Sequence, residues 1–120
     1  MPQGLEHVEA ALKLIERASD TIGKLGGVKE GWRSEAVARL TSTTALLRAV
    51  TDRFFLRTRV CLPFAGKCED EAKKLDALLA ELCAQPASDG QDRLDAAVEA
   101  LEKAAKTLDE RSLMQGMTIT

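Results

Sequence analysis

The chain reads as an all-α protein, an antiparallel up-down-up-down four-helix bundle with a long second helix. Three observations predict this. Apolar residues recur at alternating spacings of three and four along most of the chain, the period of a single buried helix face. Composition favours helix over strand, with 3% aromatic residues, no Tyr and only three Pro. The periodic stretches are joined by short Gly- and Pro-containing connections, which suit antiparallel neighbours. At 120 residues, 45% apolar and 30% charged, one domain can bury its own core without metals or disulfides. That domain is expected to span 1–112, with 113–120 a frayed tail.

The first helix is expected from Leu5 to about Leu25, where Leu5, Val8, Leu12, Ile15 and Ile22 form a stripe with Ser19 in one seam position. Glu9 and Lys13 pair outside it. Gly26 and Gly27 then stand where a helix end needs a residue able to take positive φ. The second helix runs from about Val28 to Leu62 on the stripe Val37, Leu40, Leu47, Val50 and Phe54, with Pro63 as its stop signal. Its weakest point is Thr41-Ser42-Thr43-Thr44, whose side chains lower helix propensity. The third covers Lys67 to Ala84 with Ala72, Leu75, Leu79 and Leu82 inward and Glu69/Lys73 and Asp70/Lys74 outside. Ser88 and Gln91 form a capping box for the fourth, whose stripe is Leu94, Ala97, Val98, Leu101, Ala105 and Leu108, through about Arg111. Glu99/Lys103 and Glu102/Lys106 pair on its outer side.

Composition also bears on function. A net charge of −2 supplies no long-range attraction for nucleic acid or an anionic membrane. The absence of a long apolar run and the unremarkable start Met1-Pro2-Gln3-Gly4 predict neither a membrane span nor a secretion signal. Three cysteines, an odd count in a chain that needs no stapling, suit a reducing, cytoplasmic setting.

No segment carries the residues that a reaction, a metal or a cofactor requires, so the reading is non-catalytic, with no cofactor. His7 is the sole histidine. Four-helix phosphotransfer domains use one exposed histidine, but Glu6 and Glu9 beside His7 would repel phosphate. Cys61 and Cys68 flank the second interhelix corner and could form a redox pair. Cys83 lies about 22 Å along the third helix from Cys68. A His7/Cys61/Cys68 metal site lacks a fourth ligand and any C-x-x-C. Trp32 is expected to plug the end of the core beside the first corner.

The most informative stretch is Arg53-Phe54-Phe55-Leu56-Arg57-Thr58-Arg59-Val60-Cys61-Leu62. Steps of about 100° per residue send Phe54, Phe55 and Leu56 in three directions, so one flat seam cannot cover them all. A second helix of about 51 Å would overhang a first of about 33 Å. Its end, Phe54, Phe55, Leu56 and Arg57 with Phe64 beyond the corner, is then the expected contact surface for another protein or a second copy in a homodimer, aromatics and Arg being favoured anchors. The competing expectation bends the second helix and uses these residues to complete the core. A signalling or redox-regulatory domain using His7 or the cysteines, and an assembly or secretion chaperone, are the alternative functions.

Overall fold

The computed structural model describes residues 3–118, with side chains through Met114. Helices α1 (Gln3–Lys24), α2 (Glu30–Val50), α3 (Leu62–Ala84) and α4 (Gly90–Thr118) form a four-helix bundle, and no strand occurs among the described residues. Two 3-10 turns, Phe54–Arg57 and Arg59–Cys61, lie between α2 and α3. Each helix buries one stripe at alternating three- and four-residue spacing, the pattern of side chains interlocking between helices inclined by about 20°. On α2 the stripe is Ala36, Leu40, Thr43, Leu47 and Val50, and on α4 it includes Leu94, Val98, Leu101, Ala105 and Leu108. The expected inward residues of α3, Ala72, Leu75, Leu79 and Leu82, are all buried.

On α1 the seam lies one residue earlier than the large side chains suggest. Gly4, Ala11 and Ala18 are buried with Val8, Ile15 and Ile22, while Leu5 and Leu12 are only half-buried. The physical reason is proximity: α1 and α3 form the most extensive pairing in the bundle. Small residues on both, including Ala65, Cys68 and Ala72 on α3, let the two backbones approach.

Around the bundle, α1 packs on α2 and α3, and α4 packs on the same two, so α2 and α3 face each other across a diagonal. Polar links between helices give the directions. His7–Glu69 and Arg17–Asp76 advance along α1 and α3 together. Trp32–Asp95 and Arg39–Glu102 do the same along α2 and α4. Directions therefore alternate along the chain, as expected, but two of the four neighbouring pairs are parallel. The α2–α3 connection consequently crosses the end of the bundle diagonally.

The long second helix is corrected. α2 passes through Thr41–Thr44, where the Thr41 and Thr43 hydroxyls donate to the carbonyls of Val37 and Arg39, and it ends at Val50. There Thr51 donates both its backbone N–H and its hydroxyl to the Arg48 carbonyl, and Arg53 turns extended at φ −81°, ψ 141°. Side chains that compete for backbone partners stop the helix. Pro63, expected as a stop, sits in the first turn of α3, where its fixed φ and missing N–H cost nothing. α3 accordingly starts at Leu62, ahead of the expected Lys67.

The remaining ends differ in detail. Gly27 takes φ 79° after α1, as expected. The Arg33 guanidinium, on α2, donates to the Leu25 carbonyl that follows α1. α4 begins at Gly90, and the Asp89 carbonyl accepts the Arg93 N–H. α4 does not fray at Leu113 but continues as helix to Thr118, and the rest of the expected tail, 119–120, lies outside the described residues. Its 29 residues span about 43 Å against about 33 Å for α1. An overhang exists, then, but it belongs to α4 and not to α2.

Candidate functional site

The crossover, residues 51–61, builds the end of the bundle. Its extended kinks at Arg53 and Thr58 break the helical rotation that would scatter Phe54, Phe55 and Leu56. Phe55 and Leu56 turn inward and are only 3% and 2% exposed. Cys61 is buried beside them, its thiol directed at the Leu56 carbonyl. Phe55 meets the half-buried Phe64 with ring centroids 6.2 Å apart and planes tilted by 41°. The Arg111 guanidinium covers the outer face of Phe64 at 5.3 Å, a cation–π contact from α4. Arg53 ties the crossover to α4 as well, donating to the Asp109 carboxylate and the Ser112 hydroxyl.

The five side chains expected as a contact surface therefore divide. Phe55 and Leu56 form the floor of the core and cannot touch a partner. Phe64 is a shielded rim residue. Phe54 is 60% exposed, and Arg57 is exposed beside it. Val60 in the second 3-10 turn is 63% exposed, and Leu113 and Met114 on the α4 overhang are 50% and 54% exposed. These four are the exposed large apolar side chains among the described residues, and all four lie at the crossover end. Arg59 is exposed between Phe54 and Val60. Leu113 and Met114 were missed as surface residues because they were assigned to the tail. The available signal was that they fall off the α4 stripe.

Of the chemical candidates, His7 is engaged. His7 Nδ1 lies 2.6 Å from Glu69 Oε1, joining α1 to α3. The His7 hydrogen bond, followed by Lys73, holds the Glu69 carboxyl below its usual range. Cys61 and Cys68 are free thiols, both buried. Burial pushes the Cys61 thiol up and that of Cys68 up to about 12, which withholds the thiolate that disulfide exchange needs. Cys83 is a free thiol exposed on α3. No group of three or more His, Cys, Asp or Glu among the described residues could hold a metal ion. Trp32, in the first turn of α2, is half-buried against the core as expected and also bridges α2 to α4, donating to Asp95 at 2.6 Å.

Two open grooves flank α4. One of about 450 Å³ lies against α2 at Leu46, Glu102 and Lys106. The other, of about 350 Å³, lies against α3 at Glu71 and Lys103. Glu71 is buried there between Lys67 and Lys74. Burial opposes its charge, but the two lysines outweigh burial and leave its carboxyl below the usual range.

Fold and site together define an all-α four-helix bundle whose exposed apolar side chains gather at one end. No helix among the described residues is long and apolar enough to cross a membrane. No protein-family model, curated protein or solved structure matches the chain.

Proposed function

We propose that this protein is a non-catalytic interaction module that docks another protein surface through its crossover end. The observation that carries the reading is the gathering of Phe54, Val60, Leu113 and Met114 at one end, with Arg57 and Arg59 exposed among them. Single exposed apolar residues need no explanation on a protein surface, whereas a cluster next to arginines has the composition of an interface centre. Compared with the surface expected on an overhanging second helix, the proposed one keeps Phe54 and Arg57, releases Phe55 and Leu56 to the core, and adds Val60 and the α4 overhang.

The test is site-specific photo-crosslinking in the cells that make the protein. A photoreactive residue placed at Phe54 or Val60 is expected to give discrete covalent protein adducts. The same residue at Ala38 or Ala80, exposed on α2 and α3, is expected to give none. Equal labelling at all four positions, or none at any, would sink the reading.

A further inference from the structure

We infer that the partner docked at the crossover end is an acidic segment of another protein, one that presents carboxylates among its own apolar side chains. The inference rests on the docking reading above and adds the chemistry of the partner. Its support is the distribution of arginines that the fold does not use. Arg17, Arg33, Arg39, Arg53 and Arg93 each hold a carboxylate of this chain. The other four, Arg48, Arg57, Arg59 and Arg111, hold none among the described residues, and all four are exposed. They share one end of the bundle. Arg48 stands in the last turn of α2, Arg57 and Arg59 in the two 3-10 turns, and Arg111 on α4 over Phe64. The exposed Phe54, Val60 and Leu113 lie at that same end, so unpaired guanidinium groups and uncovered apolar surface coincide.

Two exposed carboxylates, Asp52 and Glu110, sit at this end as well, while Asp109 is taken by Arg53. Positive charge therefore still exceeds negative here, on a chain whose net charge is −2. The rest of the molecule is more acidic than the whole, and the field steers an anionic group to the crossover end. Asp52 and Glu110 also restrict the kind of anion. A continuous phosphate surface, on a nucleic acid or an anionic bilayer, sets negative charge against these two carboxylates as well as against the arginines. A protein segment places carboxylates opposite the arginines alone and apolar groups opposite Phe54, Val60 and Leu113. Arginine suits that role. Its planar guanidinium takes a carboxylate in two parallel hydrogen bonds, and those edges stay available while its face covers a ring, as Arg111 does on Phe64.

The experiment titrates the purified full chain into dye-labelled degenerate peptides and follows their fluorescence anisotropy. One pool mixes Asp and Glu with Leu, Phe and Trp, a second replaces the acids by Lys and Arg, and a third replaces the apolar residues by Ser. The first pool is expected to bind with a Kd of roughly 10–100 μM, about tenfold tighter than either of the others. Its binding should weaken about threefold or more between about 50 mM and about 300 mM salt. Arg57→Ala combined with Arg59→Ala should weaken it about fivefold, and Phe54→Ser about threefold. Lys24→Ala combined with Lys29→Ala, exposed at the opposite end, should leave it unchanged. Circular dichroism verifies that each variant is folded. No binding of the acidic pool at about 1 mM protein, equal binding of the basic pool, or indifference to the arginine variant overturns the inference. Tighter binding to phosphatidylserine vesicles, to a single-stranded oligonucleotide or to a second copy of the chain does so too. Failure of the acidic pool together with Phe54 crosslinks to a protein would leave the docking function standing with a partner of other chemistry. Failure of both experiments would remove the function as well.

Discussion

At the scale of single residues, adjacent positions have opposite fates for reasons that lie outside their own chemistry. Phe54 and Phe55 are the same side chain, yet one is 60% exposed and the other 3%, because the extended Arg53 resets the direction in which the next residues point. The glycines divide in the same way. A Cβ on Gly4 would collide with Cys61 Sγ and come within 2.7 Å of the Leu56 carbonyl oxygen, whereas one on Gly66 would meet nothing within 4 Å. Both glycines lie inside helices. Gly4→Ala is therefore expected to destabilise by about 1–3 kcal/mol through overpacking against the floor. Gly66→Ala should stabilise by about 0.5–1 kcal/mol, because it removes only the glycine penalty in a helix. Urea unfolding midpoints of the two variants would check this, and shifts of the same sign would contradict the close approach of α1 to the crossover.

At the scale of elements, parallel neighbours set like helix ends side by side, and their partial charges repel. The polar links on α1–α3 and α2–α4 act against that repulsion, and within α3 a buried carboxylate adds sensitivity to acid. Glu71 has Lys67 and Lys74 against its carboxylate, with Lys103 of α4 lining the same groove. Its folded pKa lies below the ordinary 4.5, so the folded state binds fewer protons than the unfolded chain. The sign follows: the stabilisation is complete above the unfolded value and is lost as pH falls through the lower folded value. The melting-temperature gap between wild type and Glu71→Gln should be full above pH 4.5 and should close below it. A gap that stays constant down to pH 2 would show that Glu71 contributes packing and not charge. Much at this scale was legible in the sequence. The four stripes placed α1, most of α3 and most of α4, because alternating spacing of large apolar residues has no other simple use. The end of α2 was not legible, since residues 54–62 suit a helix locally and the interruption comes from Thr51 and the need to bury Phe55 and Leu56. Pro63 was ambiguous because the same locked φ suits the residue after one helix and the first turn of the next. The small residues Ala11 and Ala18 were invisible as core because nothing in their own chemistry marks a close helix contact. The contact surface was half legible: the unusual apolar run drew attention to the right end, but only the kinked backbone decides which members face out.

For the whole molecule, the diagonal placement of α2 and α3 makes the crossover a structural part and more than a tether. Neighbouring helices lie about 8–10 Å apart, so a diagonal is about 14 Å, which four or five extended residues would span. Residues 51–61 provide more than twice that. The surplus is folded into two 3-10 turns that insert Phe55, Leu56 and Cys61 beneath the four stripes. Burial of these three side chains contributes about 4–8 kcal/mol, a large part of the roughly 5–15 kcal/mol that holds a small domain together. Replacing 51–61 by a Gly/Ser linker of equal length keeps the reach but removes the floor. Such a variant should retain much of its far-ultraviolet circular dichroism, since the stripes still drive collapse. It should lose its cooperative melt and bind a hydrophobic dye, as expected when helices persist without fixed packing. If it instead melts cooperatively within about 0.5 kcal/mol of wild type, the margin of an ordinary surface substitution, the crossover is only a linker. The same floor would then be free for other use, and the partition of Phe54 outward and Phe55 inward would have no energetic basis.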